Sequence, residues 1–325
     1  MILVVLAGLA LSGTITRSAS RKPAVPLRFL TLTYLATVQD VPPQAREVRV
    51  WVPLASTRDG QRILHRSVHA PGSYTITREP AYGNELVHLV LKGPVPEPVT
   101  VQIDYEVELG LDEPDLQAPS PAELGQALEA SGLIVIDDEV RARARQATAG
   151  RNNPAARARG IYDDVIQHMV YDKRTPGWGR GDTRRACLLG RGNCADFHSL
   201  FIAMARAVGI PARFKIGLVV PEAAAGEVPG YHCWAEFYVE GRGWSPVDAS
   251  EAWKHPALAD YYFGARAPNR FLISVGRDLR LVPPQQGEPV NLLLSPYVEV
   301  DGRVFDKVNT EFRFQELPHG QEDEA

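Results

Sequence analysis

The stretch that organises the chain is Gly192-Asn193-Cys194-Ala195-Asp196-Phe197-His198, which runs on to Gly209-Ile210-Pro211. Asn193 is a favourable helix N-cap, and Asp196 follows three residues later, as in a capping box. Gly209 suits the left-handed C-terminal cap of a helix, and Pro211 prevents its continuation. Between these signals, apolar residues recur at helical spacing, namely Leu200, Phe201, Met204 and Val208. The pattern predicts a helix with one buried face and with Cys194 in its first turn.

The position of Cys194 favours chemistry at its thiol. The first turn of a helix carries unpaired N–H groups and the positive end of the macrodipole, and both stabilise an anion. A thiol placed there is shifted towards thiolate, which is the reactive form of cysteine. A free cysteine is also often a small buried hydrophobic residue, so the position alone leaves both interpretations open.

A second stretch, Gly230-Tyr231-His232-Cys233-Trp234-Ala235-Glu236-Phe237-Tyr238-Val239, alternates as a β-strand does. A turn at residues 240–243 connects it to a second predicted strand at residues 244–249. His232 and Asp248 both lie opposite in parity to the apolar face, so we expect them on one side of the hairpin. A thiol needs a base for its proton, and the base needs a carboxylate that fixes its tautomer. Cys194, His232 and Asp248 are therefore the candidate nucleophile, base and orienting acid.

Four segments together resemble the transglutaminase-like superfamily, and in particular its bacterial members. They are G-N-C-A-D-F-H-S-L-F from residue 192, R-A-V-G-I-P-A-R from residue 206, Y-H-C-W-A-E-F-Y from residue 231 and G-R-G-W-S-P-V-D-A-S from residue 241. The resemblance implies a papain-like cysteine enzyme with Cys194 as nucleophile, His232 as base and Asp248 as orienting acid. It also implies acyl transfer through a thioester on an amide or peptide bond of a protein or peptide substrate. Eukaryotic transglutaminases use calcium, but the sequence has no acidic loop of the D-x-[DN]-x-[DN]-G kind, so we expect no metal and no cofactor. Whether water or an amine accepts the acyl group stays open, and so does the oligomeric state.

Other residues are expected near this site. Related enzymes use a tryptophan beside the nucleophile to hold the oxyanion, and Trp178 is the candidate here. The alternative is that Trp178 only packs against the wall of the cleft. Asn193, Asp196, His198 and Trp234 are expected to lie near the nucleophile, with Asp196 acting as a cap.

Two alternatives use the same residues. Cys194 and His198 lie one turn apart on the predicted helix, and His232 with Cys233 could complete four zinc ligands. Against zinc, adjacent strand residues point to opposite faces, and Asp248 would have no role. The second alternative is a catalytically silent transglutaminase-like domain that serves as a binding or scaffold module.

Composition limits the class of protein. The chain has 325 residues, of which 45% are hydrophobic and 23% charged, as in globular proteins. The net charge of −4 gives no sign of a nucleic-acid-binding surface. Residues 2–11 are apolar and are followed by small residues up to about residue 20, which resembles an export signal without its basic start. We therefore expect an exported protein, periplasmic or extracellular, with residues 1–22 either cleaved or kept as a membrane anchor.

The remaining pattern predicts an α+β protein in five parts. Residues 23–112 alternate in short runs punctuated by proline and glycine, which predicts an all-β, sandwich-like domain. A linker at 113–121 and a catalytic domain at 122–315 follow, the latter a helical part plus an antiparallel sheet. Residues 316–325 are acidic and are predicted to be disordered.

The chain has three cysteines, so at least one of them stays free. If Cys194 is the nucleophile, Cys187 and Cys233 could pair in an oxidising compartment. The alternative of two buried thiols is favoured.

Overall fold

The computed structural model describes residues 27–111 and 118–318. Within these ranges lie six α-helices, numbered in chain order: α1 Pro121–Gln126, α2 Asp138–Ala147, α3 Pro154–His168, α4 Thr183–Leu189, α5 Cys194–Ala207 and α6 Ala249–Lys254. The predicted export segment, most of the linker and most of the acidic tail lie outside the described residues. No helix of the described part is both long and apolar enough to cross a membrane.

The same ranges contain sixteen β-strands. They are β1 Arg28–Val38, β2 Glu47–Leu54, β3 Gln61–His69, β4 Tyr74–Arg78, β5 Glu85–Lys92, β6 Val99–Leu109, β7 Val170–Tyr171, β8 Arg191–Gly192, β9 Ala212–Val219, β10 Ala225–Glu227, β11 His232–Val239, β12 Gly243–Val247, β13 Arg270–Val275, β14 Tyr297–Val300, β15 Arg303–Val304 and β16 Val308–Glu316.

Two five-stranded antiparallel sheets form the β-rich part. Their strand orders are β10-β16-β1-β6-β3 and β15-β14-β2-β5-β4. Alternate residues of β1 are buried, from Leu30 to Val38, as expected for a strand with one face on a core. The two sheets share one hydrophobic cluster, so the predicted sandwich-like arrangement is present.

The C-terminal strands correct the predicted domain boundaries. The prediction placed all of residues 122–315 in the catalytic domain. Instead, β16 pairs with β1 from Leu30 opposite Glu316 to Val38 opposite Val308. The strand β14 likewise pairs with β2. Residues 297–316 therefore complete the sandwich, and Glu316 ends a strand rather than beginning a tail.

The helical part packs on a third sheet. This antiparallel sheet has the order β12-β11-β9-β13, and α5 contacts both β11 and β9. The residues of α5 from Cys194 to Arg206 are buried, which makes it the central helix of this cluster. Leu218 and Phe271 from the third sheet belong to the sandwich cluster, so the sheet joins the two cores. The predicted α+β class is confirmed.

Candidate active site

Cys194 is the first residue of α5 and is 2% exposed. The predicted capping box is complete: the Asn193 side chain accepts the Ala195 N–H at 2.9 Å, and the Asp196 side chain accepts the Asn193 N–H at 2.9 Å. The Cys194 N–H occupies the first helical position and has no acceptor within the helix. The sulfur therefore lies where N–H groups and the helix dipole favour a negative charge.

Asp196 does more than cap the helix. Its carboxylate also accepts the N–H groups of Gly179 at 2.7 Å and Gly181 at 3.1 Å. A Cβ at Gly192 would lie 2.2 Å from Asp196 Oδ2, so only glycine leaves room for this carboxylate. Burial raises the pKa of Asp196, and the three N–H groups oppose that shift. The sequence identified the cap but not the attachment of the glycine-rich loop at 177–181 to the start of α5.

Arg277 holds the same loop from the opposite side. Its buried guanidinium donates to the carbonyls of Gly181 at 2.8 Å and Arg180 at 2.9 Å. It also donates to Ser199 Oγ, which lies on α5. Burial lowers the pKa of Arg277 to about 10. The loop beside Cys194 is thus fixed by a buried carboxylate and by a buried cation.

His232 and Asp248 are brought together by the hairpin of β11 and β12. His232 Nε2 lies 2.6 Å from Asp248 Oδ2, and both side chains are buried. The predicted second strand ends at Val247, one residue before the carboxylate. Asp248 is instead the N-cap of α6, because its Oδ1 accepts the Glu251 N–H at 3.0 Å. One carboxylate therefore both starts a helix and binds the imidazole.

Charge at the sulfur and at the imidazole is coupled. The pKa of Cys194 is held well below its ordinary value by a contact with the Cys233 thiol and by His232, against the effect of burial. Burial lowers the pKa of His232, but Asp248 outweighs it and raises that pKa to about 9. Arg270 opposes the rise. A thiolate–imidazolium pair is the charge state that these surroundings favour.

His198 is fully buried beside Cys194 and His232, and it hydrogen-bonds to the backbone of α5 and of α6. Its Nδ1 lies 2.7 Å from the Cys194 carbonyl, and its Nε2 accepts the Ala249 N–H at 3.0 Å. Burial lowers the pKa of His198, which matches a neutral ring with Nδ1 protonated. Since both nitrogens are engaged, His198 fits a hydrogen-bonding role better than a zinc ligand. Within the described ranges, no three His, Cys, Asp or Glu residues are grouped as a metal site requires.

Trp178 and Trp234 lie at different depths. Trp178 is 37% exposed in the loop at 177–181, and the Lys173 ammonium lies 5.9 Å from its ring centroid. Its neighbour Gly179 is bound to Asp196, which places the loop beside the nucleophile. Trp234 is buried and stacks with His232 at a centroid distance of 6.2 Å. The oxyanion role of Trp178 stays a prediction.

Three site residues were missed by the sequence analysis. Arg270 donates to Asp248 Oδ2 at 2.9 Å from the first position of β13. Tyr231 accepts the Asn193 side-chain N–H at 2.9 Å. Cys233 contacts Cys194, whereas Cys187 lies half-buried on α4, so the suggested Cys187–Cys233 pair is absent and all three cysteines are free. The sequence shows Arg270 directly before the apolar run at 271–275, but that position does not indicate a contact with Asp248.

The fold and this site define the class: an α+β protein in which a helix-terminal cysteine meets a histidine and a carboxylate from a hairpin. Residues 141–249 match the family model described as the transglutaminase-like superfamily. The chain therefore contains a transglutaminase-like domain, as the four sequence motifs predicted.

Three known proteins are similar to this chain. A protein of Haemophilus influenzae described as uncharacterized is 27% identical over 307 aligned residues, which cover 79% of this chain and 81% of the relative. A proposed cysteine protease from Cytophaga hutchinsonii has the same fold, with a TM-score of 0.58, 17% identity and coverage of 90% and 92% of the two chains. The periplasmic domain of TgpA from Pseudomonas aeruginosa matches with a TM-score of 0.37, 16% identity and coverage of 74% and 92%.

Proposed function

We propose that the protein is a cysteine-dependent acyl-transfer enzyme that acts on amide or peptide bonds through a thioester. The observation that carries the proposal is a buried hydrogen bond between Cys194, at the start of α5, and His232, whose imidazole lies 2.6 Å from the Asp248 carboxylate. This is the arrangement of nucleophile, base and orienting acid that activates a thiol.

Each residue has one task in the first half of the reaction. The Cys194 thiolate attacks the substrate carbonyl, and the C=O π electrons move to oxygen. The Cys194 N–H donates to that oxyanion. Collapse of the intermediate breaks the C–N bond, and the His232 imidazolium gives its proton to the leaving amine. The product is a thioester on Cys194, with His232 neutral.

In the second half, His232 takes a proton from the acceptor. The acceptor then attacks the thioester, the C–S bond breaks, and the thiolate is restored beside a protonated His232. Water as acceptor makes the protein a protease or amidase, and an amine makes it a transglutaminase. Asp248 stays ionised throughout, because His232 and Arg270 hold its pKa well below the ordinary value against the effect of burial.

The experiment compares the full wild-type chain with Cys194→Ala on a mixture of unfolded proteins. New N-termini identify a protease, and new amine-to-glutamine links identify a transglutaminase. Released ammonia with neither new termini nor new links identifies an amidase. We expect one of these products from the wild type and none from the variant. Cys187→Ala is the matched control, since it removes a thiol outside the site and should retain the activity.

The scaffold alternative predicts a different result. A silent binding module would give equal products, or none, from the wild type and Cys194→Ala. It would also leave the Cys194 thiol without enhanced reactivity towards electrophiles.

A further inference from the structure

The Asp248 carboxylate has more partners than a base-orienting acid needs. Oδ1 accepts from Ser250 Oγ at 3.1 Å and from the Glu251 N–H at 3.0 Å, and His198 Nε2 lies 3.5 Å away. Oδ2 is shared by two nitrogens, His232 Nε2 at 2.6 Å and Arg270 Nη2 at 2.9 Å. The oxygen that holds the imidazole is therefore also bound by a guanidinium.

The contact with Asp248 is the ion pair that Arg270 makes in this buried site. Its side chain and that of Asp248 are each 8% exposed, so neither charge is well solvated. Within the described ranges, its other side-chain hydrogen bond goes to the neutral Asn269 side chain at 3.0 Å. The nearby phenols Tyr261 and Tyr262 have pKa values raised by burial and stay neutral. A buried guanidinium with one ionised partner depends on that partner, because removing either group leaves an uncompensated buried charge.

We infer that Arg270 is a fourth, positioning member of the site, whose buried positive charge lets His232 release its proton. This role rests on the proposed function and follows from the buried charges at the site. With the ion pair formed, Cys194 and Asp248 are negative while His232 and Arg270 are positive, so the four sum to zero.

The same balance holds after acylation. Cys194 is then a neutral thioester and His232 is neutral once it has protonated the amine. Asp248 and Arg270 remain as a buried pair with no net charge. Without Arg270 the acylated site would hold one buried negative charge beside the imidazole. That charge would keep His232 protonated and unable to serve as a base for the acceptor.

Other groups facing His232 do not supply this charge. His198 is held neutral by burial and by its two hydrogen bonds, and Cys233 has its pKa raised by burial. Glu251 pairs with Lys254 on α6 at 2.7 Å and carries a negative charge rather than a positive one. Arg270 lowers the pKa of His232, whereas Asp248 and Cys194 raise it.

The direct test measures the titration midpoint of His232 by NMR on the full chain labelled at histidine Cε1, with its signal assigned from His232→Asn. In Arg270→Gln we expect that midpoint to rise by roughly one pH unit above the wild type. Arg270→Lys should return it most of the way, because the charge is restored. Arg266→Gln is the matched control: that nearby arginine faces Asp59 and Glu236, and its loss should leave the midpoint unchanged.

A kinetic test addresses the second half-reaction with p-nitrophenyl acetate as the probe. We expect Arg270→Gln to keep a burst of nitrophenol but to lose about tenfold in steady-state rate, about 1.4 kcal/mol. If Arg270→Gln lowers the melting temperature but leaves the His232 midpoint in place, the residue is only structural and the inference is overturned. The NMR result requires no turnover, so it separates failure of this inference from failure of the proposed function.

Discussion

The three thiols differ in what surrounds each sulfur. The pKa of Cys194 is lowered by Cys233 and His232, while burial raises the pKa of both Cys187 and Cys233. We expect limiting iodoacetamide at mildly acidic pH to label Cys194 at least about tenfold faster than the other two, as read by peptide mass spectrometry. Cys194→Ser gives the background labelling. Faster labelling of Cys187, the most accessible of the three, would remove the case for a nucleophile at Cys194.

Asp248 has two roles, as the N-cap of α6 and as the partner of His232, and an asparagine substitution separates them. Asparagine still caps a helix, so Asp248→Asn should fold, but it neither carries the charge nor fixes the tautomer of His232. We expect kcat to fall about 10- to 1,000-fold, about 1.4–4 kcal/mol. Alkylation of Cys194 should slow near neutral pH and recover at higher pH, because the imidazolium loses its carboxylate and is less populated.

The control for this variant is Asp182→Asn, which changes the carboxylate cap of α4 by the same chemistry away from His232. It should leave alkylation unchanged. If Asp248→Asn unfolds the protein while Cys194 in the folded fraction reacts as in the wild type, Asp248 is a structural cap and not an orienting acid.

At the scale of elements, the start of α5 and the loop at 177–181 form one unit through Asp196. The Asp196 carboxylate has two acceptor oxygens for three backbone N–H groups, whereas an asparagine side chain has one acceptor oxygen. We expect Asp196→Asn to lower the free energy of unfolding by about 1–3 kcal/mol. Amide exchange at Gly179 and Gly181 should accelerate, and Cys194 alkylation should slow. Asp137→Asn, which changes the cap of α2, is the control that should leave both glycine amides protected.

The elements also show how far the sequence could go. The helix α5 was predictable because Asn193, Asp196 and Gly209 are local signals, and β1 because its alternation spans eleven residues. Asp248 was placed near His232 by strand parity, although the strand ends before it. Arg270 and the pairing of β16 with β1 could not be predicted, because they depend on contacts between residues far apart in the chain. No local pattern encodes such contacts.

At the scale of the whole molecule, the β-rich and helical parts share strands and a core. The strand β16 pairs with β1 along its whole length, and Leu218 and Phe271 of the third sheet pack in the sandwich cluster. We therefore expect a fragment of residues 118–318 to lose cooperative thermal unfolding, measured by circular dichroism, whereas the full chain unfolds in one transition. A fragment that melts cooperatively and keeps rapid Cys194 alkylation would show that the parts are independent.

A buried ion cluster joins the same two parts. Lys215 of β9 is fully buried, with its Nζ 2.5 Å from Asp59 and 2.6 Å from Glu236. Asp59 lies between β2 and β3 in the sandwich. Burial alone would raise the pKa of Asp59, but the positive charges of Lys215, Arg213 and Arg266 lower it by more than burial raises it. The carboxylate therefore stays ionised in the folded state. Its stabilising effect is present above the ordinary pKa of 3.8 and is lost as the pH falls through the lowered folded-state value.

Replacing Lys215 therefore has a cost that depends on pH. Lys215→Met removes the nearest cation and leaves buried carboxylates undercompensated, so we expect about 3–5 kcal/mol less stability in urea at neutral pH. The folded-state pKa of Asp59 should rise in the variant, so its carboxylate protonates at a higher pH than in the wild type. Protonation relieves the uncompensated charge, and the deficit should shrink as the pH is lowered towards about 4. The exposed Lys92→Met should change stability by less than about 0.5 kcal/mol at either pH. A deficit for Lys215→Met that is constant across this pH range would mean that lost packing, and not charge, is what the lysine contributes.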